Sequence, residues 1–143
     1  MGVSSEGPRH GDPVSEDLQL VEAAAQVRQH AYAPYSGLRV GAALRTERGG
    51  VVRGCNVENG SYGLAICAER GAVSAAVAAE GDSMCIDAIA VSSEAVSCPP
   101  CGACLQVLAE FGSEARVIFT SGGQLTVMLV RELLPVRFRL SET

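Results

Sequence analysis

The 143-residue chain contains no lysine and no tryptophan, and all eleven of its basic residues are arginines. These arginines form no basic run, and the formal net charge is −5. Because proteins that bind a nucleic-acid polymer usually present a basic stripe, this composition disfavours a polynucleotide partner. Apolar runs are short and interrupted, so none reaches the roughly 20 residues needed to span a bilayer. We therefore expect neither a nucleic-acid polymer nor a membrane among the partners.

The N-terminal sequence MGVSSEGPRHGDP lacks two targeting signals. It has no apolar segment of the kind found in signal peptides, and Glu6 stands where a myristoylation signal requires Ser or Thr. Its content of Gly, Ser and Pro predicts a disordered leader at 1–14, followed by a single domain at 15–143. We expect a cytoplasmic protein. Because cysteines remain reduced in that compartment, the six cysteines of the chain point to metal binding or catalysis.

Apolar spacing along the rest of the chain predicts helices that alternate with strands. Helices are expected from a cap at Ser15 to about residue 31, at 67–80, at 102–111 and in the short segment RELL; strands are expected at 38–46, 51–57, 86–93, 116–121 and 124–130. The stretch AVSAAVAA of the second helix is apolar on nearly all sides, which predicts burial all round. A hairpin followed by this alternation predicts a three-layer α/β domain with helices covering a mixed sheet.

Cysteines lie at the starts of two of these helices. Cys67 precedes Glu69 in the segment CAER, and PCGAC places Cys101 and Cys104 one helical turn apart. The free N–H groups and the positive dipole end of a helix N-terminus favour thiolates, the form that binds metal. Three protein ligands would leave the fourth position of tetrahedral Zn²⁺ open to water, as in catalytic zinc sites. Glu69 could then carry a proton from that water to a leaving group.

Two other arrangements of the cysteines remain open at this point. Cys98 and Cys101 could form a redox pair, or Cys98 could complete a closed structural site of four thiolates. A ligand set that includes histidine is excluded by supply, since His10 and His30 lie in the leader and the first helix. The combination of C-A-E with P-C-x-x-C, each at a helix start, favours the catalytic arrangement, and Cys98 is interpreted as a bystander.

The pattern Cys67-Ala68-Glu69 followed by Pro100-Cys101-Gly102-Ala103-Cys104 resembles the zinc signature of the cytidine deaminase family. The segments YSGLRVGAAL, GCNVENGSYGL, ICAER, PCGACLQV and ELLP are similar to the small homotetrameric deaminases of free nucleosides, so that the resemblance covers about residues 15 to 138. It implies a three-layer α/β/α cytidine deaminase-like domain with a mixed five-stranded sheet. It also implies one Zn²⁺ per chain, bound by Cys67, Cys101 and Cys104, with Glu69 as the proton shuttle.

The resemblance further implies a nucleoside substrate. Asn56 and Glu58 would hold the ribose hydroxyls, and the backbone around Ala68 would contact the amide edge of the pyrimidine. Because Glu58 would repel a phosphate, free cytidine and deoxycytidine are favoured over nucleotides. The expected reaction is hydrolytic deamination to uridine or deoxyuridine with release of ammonia, a step of pyrimidine salvage. Deamination of another aminopyrimidine nucleoside, such as an antibiotic, is an alternative that the Asn56–Glu58 segment disfavours.

Other positions matched by the resemblance concern the surroundings of the site. Arg70 would hydrogen-bond the ligand sulfurs and offset the charge of three thiolates, with Tyr62 and Gln106 near it. Phe138 matches a residue that reaches into the site of a neighbouring subunit in the homotetramer. The chain departs from the family at Leu38, where an aromatic residue usually packs against the base. It departs again at position 105, where leucine replaces a common arginine. The preference between cytidine and deoxycytidine stays open.

Overall fold

The computed structural model describes residues 13–141, and its elements follow the order expected from the sequence. The helices are α1 (Ser15–Val27), α2 (Ala68–Glu80), α3 (Gly102–Phe111) and α4 (Val130–Leu133), and the strands are β1 (Val40–Thr46), β2 (Val51–Cys55), β3 (Ile86–Ser93), β4 (Arg116–Ser121) and β5 (Gln124–Leu129). Short 3₁₀ helices occupy Arg28–His30 and Tyr62–Leu64. The expected leader at 1–14 lies outside the described residues, apart from its last two positions.

The five strands form one mixed sheet in the order β2-β1-β3-β4-β5. Strand β1 runs antiparallel to both β2 and β3, β3 runs parallel to β4, and β4 runs antiparallel to β5. A parallel pair requires a crossover, which α3 supplies between β3 and β4. Gly122 and Gly123 have φ values of 58° and 82°, as a two-residue hairpin turn between β4 and β5 requires.

Helix α1 covers one face of the sheet. Its Leu20 and Ala24 are buried against small and branched side chains of the strands, namely Ala43, Ala88, Ala90, Ile118 and Val127. The helix lies close to β1, since a Cβ on Gly41 would stand 2.0 Å from the Ala24 carbonyl oxygen. Small residues on both elements therefore set the distance between this layer and the sheet.

The first turn of α1 is fixed by a buried ion pair. Asp17 is fully buried (0 % exposed) and accepts two hydrogen bonds from Arg116 of β4, at 2.8 and 2.7 Å. The same carboxylate accepts the Val14 N–H at 2.9 Å. Val14 is therefore the N-cap, and Ser15 is the first residue of the helix. The expectation of a cap at Ser15 is wrong by one residue, because the Asp17 carboxylate satisfies the N–H before it.

Helices α2 and α3 cover the opposite face, so the expected three-layer α/β domain with a mixed five-stranded sheet is confirmed. The core between them contains buried side chains of all these elements, among them Leu44, Ala72, Ile89, Leu108 and Val117. Helix α2 is buried on one side only, since Ser74 and Ala75 are exposed. Burial all round was the wrong expectation, because the sheet lies against one side of this outer layer. No helix in the described part of the chain is long and apolar enough to cross a membrane.

Candidate metal centre

The N-termini of α2 and α3 bring three thiols together. Cys67 is the N-cap of α2, Cys101 is the N-cap of α3, and Cys104 lies one turn into α3, where it is buried. The three sulfur atoms all lie within 4.8 Å of one another. With Zn–S bonds near 2.3 Å, two thiolates on one tetrahedral zinc would be about 3.8 Å apart, so a small inward movement of the side chains suffices. Among residues 13–141 this is the one group of this kind, and its donor set fits zinc.

The two thiols of α3 differ in acidity. The backbone N–H of Cys104 hydrogen-bonds the Cys101 sulfur and lowers the pKa of the Cys101 thiol below its ordinary value. Burial raises the pKa of the Cys104 thiol, and the nearby Glu69 carboxylate raises it further. The Cys101 thiol therefore loses its proton more readily than the buried Cys104 thiol, and a bound cation would favour deprotonation of both. A metal ion binding here would release protons.

Glu69 lies in the first turn of α2, beside these sulfurs. It is 5 % exposed, and burial raises the pKa of its carboxyl above the ordinary value of 4.5. A carboxyl group whose pKa is moved toward neutrality can both accept and return a proton, which is what general acid–base chemistry requires. The arrangement places such a group next to a cation site.

Arg70, the next residue of α2, points toward the first thiol. Its Nη2 lies 3.5 Å from the Cys67 sulfur and 3.5 Å from the Ala65 carbonyl oxygen. The hydrogen bond to Cys67 is the main cause of a raised pKa of this guanidinium. Its Nε is buried without a hydrogen-bond partner. A permanent positive charge thus stands beside one of the three sulfurs.

Close packing of β2 fixes where α2 begins. A Cβ on Gly54 would lie 2.5 Å from the Ala68 carbonyl oxygen and 2.6 Å from the Ala72 nitrogen. Glycine is therefore required in β2 for the first turn of α2, with Cys67 and Glu69, to reach its position. On the α3 side, Leu105 is buried in the core, so the departure at this position changes core packing and not surface charge.

The side chains of Asn56 and Glu58 are directed at the segment that precedes β1. The Asn56 Oδ1 accepts the Val40 N–H at 2.8 Å, and its Nδ2 donates to the Leu38 carbonyl oxygen at 2.9 Å. Glu58 accepts the N–H groups of Tyr35 and Ser36, at 2.9 and 3.2 Å, and the Ser36 hydroxyl. Sequence reasoning missed Ser36, although a serine before glycine in YSGL is a typical turn signal.

A cavity of about 340 Å³ lies beside these contacts and is lined by Tyr35, Ser36, Glu58, Asn59, Tyr62 and Ala65. It is large enough for a small polar ligand. A larger cavity of about 670 Å³ lies under the C-terminal segment 134–139, and none of the three thiols lines either cavity. We take the smaller cavity as part of the site because it adjoins the segment that leads into Cys67.

The remaining expected site residues are Leu38, Tyr62, Gln106 and Phe138. Leu38 is 43 % exposed, and Phe138 is 71 % exposed in the segment that follows α4. The Tyr62 ring is exposed and meets the Tyr35 ring edge-on, with centroids 6.0 Å apart. Gln106 donates to the Phe138 carbonyl oxygen at 3.1 Å. The structure therefore connects Gln106 with the C-terminal segment and Tyr62 with the segment before β1.

Cys98 is not a member of the thiol cluster. It is half-buried, carries a free thiol, and its N–H donates to the Thr120 carbonyl oxygen of β4 at 2.9 Å. Within the described chain, the sulfur atoms that converge are those of Cys67, Cys101 and Cys104.

Comparison with known proteins finds relatives that match the part of the chain that contains the thiol cluster. Residues 14–121 match the sequence model of a family described as the cytidine and deoxycytidylate deaminase zinc-binding region. The chain is 44 % identical over 123 residues to a cytidine deaminase of Halalkalibacterium halodurans, covering 83 % of this chain and 91 % of the relative. It is 38 % identical over 122 residues to the cytidine deaminase of Sporosarcina psychrophila, covering 84 % and 89 %. The crystal structure of cytidine deaminase from Burkholderia pseudomallei superimposes with a TM-score of 0.77, at 47 % identity, covering 85 % of this chain and 98 % of that one.

Proposed function

The chain belongs to the cytidine and deoxycytidylate deaminase family, and we propose that it removes the amino group of cytidine and deoxycytidine by hydrolysis at a zinc ion held by Cys67, Cys101 and Cys104. The products are uridine or deoxyuridine and ammonia. One observation carries the assignment of the site: three sulfur atoms within 4.8 Å of one another adjoin a carboxyl group that is 5 % exposed. One zinc ion per chain is expected.

Zinc, when bound, supplies Lewis-acid activation of the attacking water. Glu69 does the proton transfers. Its carboxylate accepts a proton from the water and delivers it to the ring nitrogen, which makes the amino-bearing carbon electrophilic. The remaining proton of the water passes through the same carboxyl group to the amino group, which leaves as ammonia. Two protons are moved and none is consumed, so that one residue serves as base and then as acid.

The neighbours of Glu69 prepare the site for this chemistry. Three thiolates carry more negative charge than a divalent zinc ion neutralises, and the Arg70 guanidinium at 3.5 Å from the Cys67 sulfur offsets part of it. The backbone around Ala68, at the free N-terminus of α2, offers N–H groups to the amide edge of the pyrimidine. Asn56 and Glu58 offer the polar groups that suit ribose hydroxyls.

Assembly and location form part of the same proposal. The exposed apolar side chains of Val136, Phe138 and Leu140 suit burial against further copies of the chain, which supports a homotetramer in which Phe138 reaches a neighbouring site. Light scattering coupled to size exclusion would test this assembly. All six cysteines are free thiols, which favours the reducing cytoplasm. Residues 15–143 would form the catalytic domain.

The central experiment compares the wild-type protein with Glu69→Gln. The wild type should contain one zinc per chain and convert cytidine to uridine with one ammonia per turnover. Glu69→Gln should keep its zinc and lose about 10²- to 10⁴-fold in kcat, the contribution of a general acid–base group. Normal turnover by this variant would refute the assigned role of Glu69. Assays with deoxycytidine and the two monophosphates define the substrate range, and a protein active on another aminopyrimidine nucleoside but not on cytidine would favour the alternative substrate.

A pair of cysteine variants separates the catalytic zinc site from a closed structural one. Cys101→Ala should lose the metal, whereas Cys98→Ala should retain both metal and turnover, because Cys98 stands outside the cluster. Release of zinc by Cys98→Ala would instead support a site closed by four thiolates.

A further inference from the structure

The segment that carries Leu38 lacks a strand ladder and is held by side-chain hydrogen bonds together with one backbone bond, from the Gly37 N–H to the Ala33 carbonyl oxygen at 3.0 Å. We call residues 35–39 the Ser36 loop; it lies between Pro34 and the start of β1. Gly37 within it has a φ of 74°, a conformation that glycine adopts without strain. The loop therefore depends on specific hydrogen bonds for a fixed position.

One hydroxyl group makes two of these bonds. Ser36 Oγ donates to the Glu58 carboxylate and accepts the Leu38 N–H at 3.0 Å. A serine that binds the N–H two residues ahead closes a local turn. Ser36 thus connects Glu58 directly to the backbone of Leu38.

Leu38 is held from its other side as well. Its carbonyl oxygen accepts the Asn56 Nδ2 at 2.9 Å, and the same amide accepts the Val40 N–H. Both polar groups of the Leu38 backbone are therefore bound to side chains, one of Ser36 and one of Asn56. The backbone that carries the exposed Leu38 side chain is therefore held by Ser36 and by Asn56, and the substrate is expected to meet Asn56.

Glu58 keeps capacity for a ligand despite these bonds. A carboxylate offers about four acceptor positions, and the Ser36 loop occupies three of them. Glu58 and Ser36 both line the cavity beside this loop, so a ligand there meets the same carboxylate. The hydrogen bond from Ser36 is also the main cause of the lowered pKa of Glu58.

We propose that Ser36 is a positioning residue for nucleoside binding, which holds the Glu58 carboxylate and the Leu38 backbone in one arrangement so that sugar and base meet a preformed surface. This role rests on the proposed deaminase function. It concerns binding and not proton transfer, because Ser36 contacts neither the three thiols nor Glu69 in the hydrogen bonds that the described residues form.

The test measures KM and kcat for cytidine in Ser36→Ala and Ser36→Thr. The alanine variant should raise KM about fivefold, the worth of one hydrogen bond of about 1 kcal/mol, while kcat and zinc content stay at the wild-type level. The threonine variant keeps the hydroxyl and should restore KM. Ser83→Ala is the matched control: it removes a hydroxyl that receives a 2.7 Å hydrogen bond from Arg48, beyond the C-terminal end of α2. Its KM should equal that of the wild type.

A double-mutant cycle tests whether Ser36 affects KM through Glu58. If Ser36 acts through Glu58, Ser36→Ala should raise KM less in a Glu58→Gln background than in the wild type. An unchanged KM in Ser36→Ala would overturn the proposal. So would a fall in kcat together with zinc loss, or an effect of equal size in the Glu58→Gln background. A wild-type protein inactive on cytidine is a separate result, seen before any variant is made, and it would overturn the proposed function together with this role.

Discussion

Replacement of Gly54 by alanine should damage the metal site from a distance, through backbone packing alone. Gly54 is in β2 and touches none of the thiols, yet an added Cβ would lie 2.5 Å from the Ala68 carbonyl oxygen and 2.6 Å from the Ala72 nitrogen. Both are backbone atoms of α2, which cannot rotate away as a flexible side chain does. To reach an ordinary contact of 3.4 Å, the first turn of α2 must move by roughly 1 Å relative to β2.

That movement is large on the scale of metal coordination. Zn–S distances vary by about 0.2 Å in well-formed sites, and a misplacement of 1 Å can cost about 100-fold in rate. Cys67 and Glu69 would move with α2, whereas Cys101 and Cys104 would stay with α3. We expect Gly54→Ala to lose about 1–3 kcal/mol of stability from overpacking, and to lose zinc affinity and kcat together.

Gly71 offers the matched control, because it lies in α2 opposite the same strand. A Cβ on Gly71 would find its nearest atoms at 3.9 and 4.0 Å, which is ordinary contact. Gly71→Ala should therefore keep zinc and activity, and it should gain up to about 1 kcal/mol from better helix propensity. The measurements are zinc retained against a chelator, kcat for cytidine, and urea unfolding of both variants. Wild-type zinc affinity and kcat in Gly54→Ala, or equal losses in Gly71→Ala, would refute the reasoning.

Two further predictions concern stability. Asp17→Asn removes the charge that pairs with Arg116 but leaves the guanidinium in place. Urea unfolding should show that the free energy of unfolding falls by about 3 kcal/mol. A fall of less than about 1 kcal/mol, which is typical of surface pairs, would contradict the burial of this pair. In the zinc-free protein, burial raises the pKa of the Glu69 carboxyl above 4.5. Above pH 4.5 the folded chain therefore keeps a proton that the unfolded chain has released. The free energy of unfolding should fall as pH rises from 4.5 through the raised pKa. Zinc-free Glu69→Gln should therefore have a higher Tm than zinc-free wild type at pH 8, with the difference shrinking toward pH 4 in circular-dichroism melts; a difference independent of pH would contradict the titration.

Elements with clear local signals could be predicted from the sequence. Strand β3, helix α3 and strand β4 have the expected bounds. Gly112 ends α3, and one apolar run of strand length precedes this helix while another follows it. The thiol cluster could also be predicted, since Cys101 and Cys104 are one helical turn apart and a helix start after Cys67 places a third sulfur at a second N-terminus. The element bounds and the Cys101–Cys104 pair depend on spacing within a single element, whereas the third thiol depends on a second helix that begins at a cysteine.

Contacts between distant segments could not be predicted in this way. Asp17 and Arg116 are 99 residues apart, and no local pattern pairs them. The hydrogen bond between Gln106 and the Phe138 carbonyl oxygen is of the same kind, because it depends on where the chain passes after α4. The one-sided burial of α2 was missed for a related reason: composition shows that a helix has no polar face, but only the layer arrangement shows which side meets the sheet.

Whether a metal ion bound here would keep a free coordination position depends on where the fold holds Cys98. A fourth thiolate would close the coordination sphere and exclude water, and CPPCGAC supplies a candidate three residues before Cys101. The Cys98 N–H is bonded to the Thr120 carbonyl oxygen near the end of β4, so its backbone is held at that strand while Cys101 caps α3. Each of the two prolines between them disfavours helical backbone in the residue before it, so the helix does not extend back to Cys98. Because the segment is divided in this way, the three converging thiols would leave one coordination position of a bound zinc ion for water, which a hydrolytic site requires.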